Sequence, residues 1–424
     1  MISPNDPSLA SWIKVDKESD FPIQNIPFGI CHTQKDSAPR PCTRIGDTVI
    51  DLRALAGLGY LSNCDVDLSI FDQPNLNAFF DCGRPSISRV RNALSVLFRE
   101  GSTALKDHPD HIQKVCIPVE QTVADLPVKI GDYTDFYSSI EHATNIGKMF
   151  RDPANALLPN WKHIPVGYHG RSSSIIVSEQ PIHRPKGQYK ADEDTLPSFG
   201  PCRLLDFELE TAFITCTPNQ LGQSITTGQA PEHIVGFVLF NDWSARDIQK
   251  WEYVPLGPFL SKNFASSISP WVVTLDALEP FRVSGPEQDP PVLPYLRYTG
   301  KWHYDIGLEV LIQPEGGEPT RVSESNFKYM YWNICQQLAH HTVNGCNIQT
   351  GDMYGSGTIS GADQSSLGSM MEITWRGTRP VKMSDGTERK FIQDNDTVII
   401  RGHAVKDGVR IGFGEVKTKV LPAN

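Results

Sequence analysis

Four carboxylates in this chain, Asp135, Glu208, Glu210 and Asp242, are spaced so that they could meet at one point. Glu208 and Glu210 lie in Leu204-Leu205-Asp206-Phe207-Glu208-Leu209-Glu210-Thr211-Ala212-Phe213, where acidic and apolar residues alternate. On a strand, side chains repeat every second residue, which puts both glutamates on one face and Phe207 and Leu209 on the other. Asp242 follows Ile234-Val235-Gly236-Phe237-Val238-Leu239-Phe240, an apolar run that reads as a buried strand, so it falls at a strand end. A Glu-x-Glu pair alone is commonly a solvated sheet face, because charged residues are mostly exposed. Four anions at one point are different: they repel each other unless a cation sits among them, and hard oxygen ligands favour Ca2+ or Mg2+ over zinc or copper.

Groups suited to a reaction surround each carboxylate in sequence. If a helix opens just after Asp135, His142 lies two turns further on the same side. Imidazole titrates near neutrality and is the commonest general base, usually with a partner on its second nitrogen. Glu372, alternating with Met371 and Ile373 in an expected strand, is the candidate partner. Residues 241–262 are denser in such groups than any other segment. Arg246 and Gln249 are three apart, so one helical turn aims them alike, and Lys262 follows the turn-forming Gly257-Pro258. Guanidinium, amide and ammonium near a cation are what an oxyanion-stabilising site requires; a polar loop with ordinary salt bridges is the competing reading. Thr358 lies in the glycine-rich Gly355-Ser356-Gly357-Thr358-Ile359-Ser360-Gly361, either a ligand-hugging loop or a plain surface turn. No phosphate-binding glycine motif opens a helix, which argues against nucleotides.

The elements that must carry these residues are mostly strands. At 424 residues, with 39% hydrophobic and 21% charged, the chain suits an ordinary globular protein of two domains. Its net charge of −10 argues against nucleic acid or an anionic membrane as partner. The nine cysteines include no Cys-x-x-Cys and suit free thiols in a reducing compartment. Residues 1–12 lack the apolar core of a signal peptide, and no run approaches the ~20 apolar residues of a membrane helix, so the expected location is cytosolic. The first 125 or so residues read as a unit without a catalytic constellation. A helix is expected there from Ser86 as N-cap, with a stripe at Ile87, Val90, Leu94, Leu97 and Phe98. Beyond Val128 come short strands, including 174–177, an alternating 303–312, 370–375 and 397–401. One further helix is expected to open at Ser325 or Asn326 and stop near Gly345. Proline-rich segments 181–200 and 279–294 are surface connections or a lid.

Several of these segments resemble the fumarylacetoacetase family: residues 131–142, 145–151, 206–210, 241–262 and 355–361, and Ala156-Leu157-Leu158-Pro159-Asn160-Trp161 through Pro165-Val166-Gly167-Tyr168-His169-Gly170-Arg171. The likeness spans nearly all of 128–424 and includes the run 251–259 that shorter relatives in the superfamily typically lack. It implies a mainly β protein, with an N-terminal SH3-like barrel (1–125) and a C-terminal β-sandwich roll (126–424), assembled as a homodimer. By position, it implies that Asp135, Glu208, Glu210 and Asp242 hold Ca2+ or Mg2+, with Lys262 and Ser266 at a second cation contact. His142 matches the general base, Glu372 its orienting carboxylate, and Arg246, Gln249 and Lys262 the oxyanion donors. Tyr137, Arg151, Tyr168, Gln249, Tyr253 and Thr358 match substrate-contacting positions. The implied reaction is metal-dependent hydrolysis of the carbon–carbon bond of 4-fumarylacetoacetate to fumarate and acetoacetate, the last step of tyrosine and phenylalanine breakdown. The implied partner is thus a small dianionic diketo acid. Two rival readings are another chemistry on a related acid, such as acylpyruvate hydrolysis, decarboxylation or hydration, and a Ca2+-stabilised β-domain without catalysis.

Overall fold

A computed structural model describes residues 2–424. Sheet dominates among the described residues, with mostly short helices between the strands, as the short apolar runs and turn residues predict. At the centre is an eight-stranded mixed sheet, in the order Gly167–His169, Tyr133–Phe136, Met353–Gly355, Leu209–Thr215, Ile234–Asn241, Ser266–Ile268 and Ile175–Val177, with Val273–Thr274 also paired to Ile234–Asn241. Both faces of this sheet are covered, which is why its middle strand Ile234–Asn241 reads as a continuous apolar run. Phe213, Phe237 and Leu239 pack with Val310, Ile312, Val398 and Ile400 of a second sheet. That sheet is built from Thr320–Asn326, Gly307–Gln313, Thr397–Lys406, Val409–Leu421 and Ile182–His183. On the opposite face Ala212, Ile214, Val238 and Phe240 join the core of the N-terminal part, with Phe28, Ile30, Phe79 and Leu94.

The N-terminal part holds a five-stranded antiparallel sheet, in the order Cys116–Pro118, Thr48–Asp51, Asp36–Ile45, Phe28–Thr33 and Thr122–Asp125. Its main helix is Gly83–Phe98, so it opens before the expected Ser86 cap. Pro85 falls inside the first turn, where its missing N–H has no intrahelical acceptor to lose. Ser86 is instead buried on the stripe of Ile87, Val90 and Leu94.

Three other expectations are corrected. The helix expected from Ser325 is a strand, Thr320–Asn326, then a short 3-10 turn, Phe327–Tyr329, and only then the helix Ile334–Thr342. Phe327 and Met330 are buried core residues whose spacing mimics a helical stripe. The true start is set by Asn333, whose side chain accepts from Cys335 and Gln336 N–H while Gln336 reaches back to the Asn333 N–H. The alternating segment 303–312 is two strands, His303–Tyr304 and Gly307–Gln313, interrupted at Asp305 and Ile306. Finally, Asp135 and His142 do not share a helix: Asp135 lies on the strand Tyr133–Phe136, and the helix is Ile140–Phe150.

Candidate active site

The acidic residues converge because of one glycine. Strands Tyr133–Phe136, Met353–Gly355 and Leu209–Thr215 are neighbours, and Gly355 pairs with Asp135 on one side and Ala212 on the other. Gly355 offers no side chain, so Asp135 and Glu210 close in above it. A Cβ on Gly355 would stand 3.0 Å from Asp135 Oδ1 and 3.1 Å from Glu210 Oε2. Asp242 enters from the end of Ile234–Asn241. One oxygen each of Asp135, Glu210 and Asp242 lie within 4.8 Å of one another. All three carboxylates are buried. Burial pushes Asp135 and Glu210 well up, and the neighbouring carboxylates push them further. Asp242 is raised by burial although Lys262 pulls the other way. Asp135 Oδ1 and Glu210 Oε1 have no hydrogen-bond partner. Buried carboxylate oxygens without partners cost stability, and a hard divalent cation fits this donor set.

Glu208 stands differently. The strand expected over 204–213 is broken into Leu205–Asp206 and Leu209–Thr215, with Glu208 in an isolated bridge to Ser369. Its carboxylate pairs with Lys262 Nζ and with Arg246 Nη2 at 2.9 Å. Burial raises it, but Lys262, Arg246 and His142 outweigh that and hold it far below the usual carboxylate range. Among the described residues, therefore, three of the four acids form the converging group, and Glu208 joins it to the cations. Lys262 Nζ also donates to Asp242 Oδ2, whose other oxygen takes Ser266 Oγ at 3.1 Å. Tyr168 OH lies 3.4 Å from Asp242 Oδ2.

His142 sits in the first turn of Ile140–Phe150, where the Ser139 cap accepts its backbone N–H at 3.2 Å. Its Nδ1 is 2.6 Å from Glu372 Oε2. An ionised carboxylate only accepts, so Nδ1 donates to it, and in the neutral imidazole Nε2 is then the acceptor. Glu372 is not on a strand: Met370–Ile373 is a single helical turn capped by Ser369. Glu372 also accepts from Asn145 Nδ2 at 2.9 Å, Ser360 Oγ at 3.0 Å and Ser369 Oγ at 2.9 Å. Burial raises Glu372, but the imidazole and these donors win and hold it below its ordinary value. The Tyr137 ring meets the His142 ring edge to face, with centroids 5.3 Å apart.

Arg246 and Gln249 share the helix Arg246–Glu252, and Arg246 Nη1 donates to Gln249 Oε1 at 3.2 Å. The Gln249 amide is thereby turned with its NH2 free to donate elsewhere. Arg246 Nη2, although ion-paired with Glu208, is off the hydrogen-bond axis and keeps an unaligned N–H. Thr358 is buried beside Gly357, whose N–H donates to Glu210 Oε2 at 2.9 Å and whose φ is +77°. Two expected substrate contacts lie outside this network. Arg151 is exposed and donates to the Ala156 carbonyl at 2.6 Å, and Tyr253 is 53% exposed. The sequence reading missed Asn145, Ser360, Ser369, Asp206 and Gly355. Ser369-Met370-Met371-Glu372 carries the Ser-x-x-Glu capping pattern, a signal that would have found the helical turn.

Family models for the fumarylacetoacetate hydrolase C-terminal region and the fumarylacetoacetase N-terminal region match residues 133–421 and 24–127. This chain belongs to the fumarylacetoacetase family. It is 51% identical over 421 residues to the fumarylacetoacetase of Dictyostelium discoideum, covering 98% of this chain and 99% of that one. It is 50% identical over 414 residues to the Homo sapiens fumarylacetoacetase, covering 97% and 99%. Among solved structures, the maleylpyruvate hydrolase of Sphingobium sp. SYK-6, in complex with manganese(II) and pyruvate, superposes with a TM-score of 0.51 at 14% identity. That match covers 94% of this chain and 100% of the other, and shows the shared fold. Fumarylacetoacetase-family membership makes the chain a hydrolase, and divalent-cation binding agrees with its converging acids.

Proposed function

We propose that this chain hydrolyses 4-fumarylacetoacetate to fumarate and acetoacetate, and that the His142–Glu372 pair beside the acidic group carries the reaction. The supporting observation is the 2.6 Å contact that leaves His142 Nε2 as a proton acceptor. Nε2 takes a proton from water while Glu372 stabilises the imidazolium. The resulting hydroxide attacks the carbonyl carbon next to the fumaryl group. Negative charge then gathers on that carbonyl oxygen, where Lys262, the Gln249 amide and the Arg246 guanidinium would donate. Burial would lower Lys262, but Asp242 and Glu208 outweigh it and keep the ammonium charged at any working pH. The carbon–carbon bond breaks with its electron pair on the acetoacetate side, as an enolate. Return of the proton from His142 to that carbon completes the reaction. A divalent cation held by Asp135, Glu210 and Asp242, with Glu208, would supply the positive charge that makes an enolate an acceptable leaving group.

Hard oxygen donors support Ca2+ or Mg2+ as that cation. Ser266 and Lys262, both on Asp242, are proposed as the further cation contact. Tyr137, Tyr168 and Thr358 are proposed to contact the substrate within the site, and Arg151 and Tyr253 at its exposed rim. We assign residues 1–125 as an SH3-like unit and 126–424 as the catalytic roll, in a homodimer. Nine free cysteines, most of them buried, support a cytosolic location.

The test is the loss of diketone absorbance from 4-fumarylacetoacetate after exhaustive chelation, then with Ca2+ or Mg2+ restored. Turnover that disappears and returns, with fumarate and acetoacetate as products, is the expected result. A folded protein inactive under every condition would overturn the assignment.

A further inference from the structure

Asp206 has no exposed surface and bonds to both halves of the catalytic apparatus. Its Oδ2 accepts from Arg246 Nε at 2.9 Å. Its Oδ1 accepts from the Met370 N–H at 2.7 Å, and Oδ2 from the Met371 N–H at 3.0 Å. Met370 and Met371 are the first two residues of the turn that carries Glu372. Their N–H groups are among those that a helix cannot satisfy internally, so one carboxylate supplies what the turn lacks. The next donor, the Glu372 N–H, goes to Ser369, to its carbonyl at 3.2 Å and its Oγ at 3.4 Å. Asp206 itself is held by strand pairing: Asp206 lies opposite Ser244 and Leu205 opposite Ala245, two residues and one residue before Arg246.

We propose that Asp206 is a positioning residue that fixes the distance between the proton-transfer pair, His142–Glu372, and the oxyanion donor Arg246. This inference rests on the assignment of those residues above. A four-residue turn cannot hold its own geometry in water, because nucleating a helix fixes several dihedrals for one hydrogen bond. Arg246 likewise could swing fully onto Glu208 if its Nε were released. A carboxylate bonded to both removes the two freedoms together. Base and oxyanion donor then act on one carbonyl from fixed places, and a displacement of about 1 Å in such an arrangement costs on the order of 10²-fold in rate.

Asp206→Asn retains size and one acceptor oxygen but turns an NH2 donor towards one of its present donors. The expected result is kcat lower by about 10²-fold per folded molecule, with KM within about threefold of wild type. The discriminating readout is coupling. Arg246→Lys and Glu372→Gln, each costly alone, should each cost less than about threefold more in the Asp206→Asn background, because their placement is already lost. Met370→Pro is the second variant: it deletes one N–H bond to Asp206 at a first helical position, where proline is accepted, and leaves the Asp206–Arg246 contact. Ser369 has φ −149° and ψ 154°, a conformation that a following proline allows. That variant should lower kcat and leave the cost of Arg246→Lys intact. Near-wild-type kcat in Asp206→Asn and Met370→Pro, with Arg246→Lys and Glu372→Gln impaired, would overturn the inference and spare the site. Multiplicative losses in the double variants would also overturn it. Full activity in Arg246→Lys and Glu372→Gln would remove both the site and the inference.

Discussion

At the scale of single residues, the site is a set of charges that cannot stand alone. Glu372 is bonded by four side chains, and only one of them is His142. Replacing His142 by Ala should therefore leave the fold and cation affinity nearly unchanged while kcat falls by about 10²–10⁴; retained turnover would take the base role away from it. Gly355→Ala tests the acidic group without touching an acid. The added methyl must enter between Asp135 and Glu210, within 3.0–3.1 Å of both, and the two carboxylates must spread by a few tenths of an ångström. Calorimetry should show divalent-cation affinity reduced at least tenfold, and unchanged affinity would mean the cation is held elsewhere. The residues proposed to do chemistry could be named from the sequence because side-chain type states their chemistry: four acids, a histidine, an arginine and a lysine. The residues that hold them were not, because Ser360 and Asn145 are ordinary polar residues until folding places them on one glutamate. Asp206 was visible only as one more acid in an alternating run. Glu208 shows the limit of such parity: it shares period two with Glu210, but the strand breaks before it and turns it to the cations.

At the scale of elements, caps decide where catalytic groups stand. Ser139 closes the first turn of Ile140–Phe150 by accepting the N–H of His142 itself. Ser139→Ala should cost about 0.5–2 kcal/mol of stability, as lost N-caps do, and lower kcat together with it. Thr274→Ala is the contrast. Thr274 caps Leu275–Leu278 through the Ala277 N–H at 3.2 Å, on a segment with no site residue. It should cost a similar amount in a denaturant melt and leave kcat per folded molecule unchanged. Equal effects of the two variants on kcat would show that the Ser139 cap has no special link to His142. Caps also explain which elements could be read in advance. The strand Ile234–Asn241 was legible because burial on both faces writes an unbroken apolar run. Helix starts were not, because core residues such as Phe327 and Met330 fall at helical spacing in a segment that is strand and 3-10 turn. The decisive marks were short polar ones, Asn333 with Gln336 and Ser369 with Glu372.

At the scale of the whole molecule, the core beside the central sheet buries a histidine that must stay neutral, and this contributes a loss of stability in acid. His303 is the clearest case. Its Nε2 donates to the Met330 carbonyl at 2.9 Å, and its Nδ1 is buried without a partner. Gly285 packs so closely that a Cβ there would fall 2.0 Å from the His303 ring, leaving no room for water to solvate a charge. Burial pushes His303 down to about 4, against the Met330 hydrogen bond that favours the charged form. In the unfolded chain the same imidazole titrates near 6.5. Between about 6.5 and 4 the unfolded state binds a proton that the folded state refuses, so stability falls as pH drops through that window and levels off below it. One such group contributes a loss on the order of 3 kcal/mol. His341, also pushed down to about 4 by burial and by His169 and His340, adds to the same slope. Denaturant melts at intervals from pH 7 to 4 should show the decline. His303→Gln, which keeps a donor for Met330 and cannot titrate, should make it shallower in the same window. A slope identical to wild type would mean that His303 takes up its proton in the folded protein, and that the core around Gly285 opens to water.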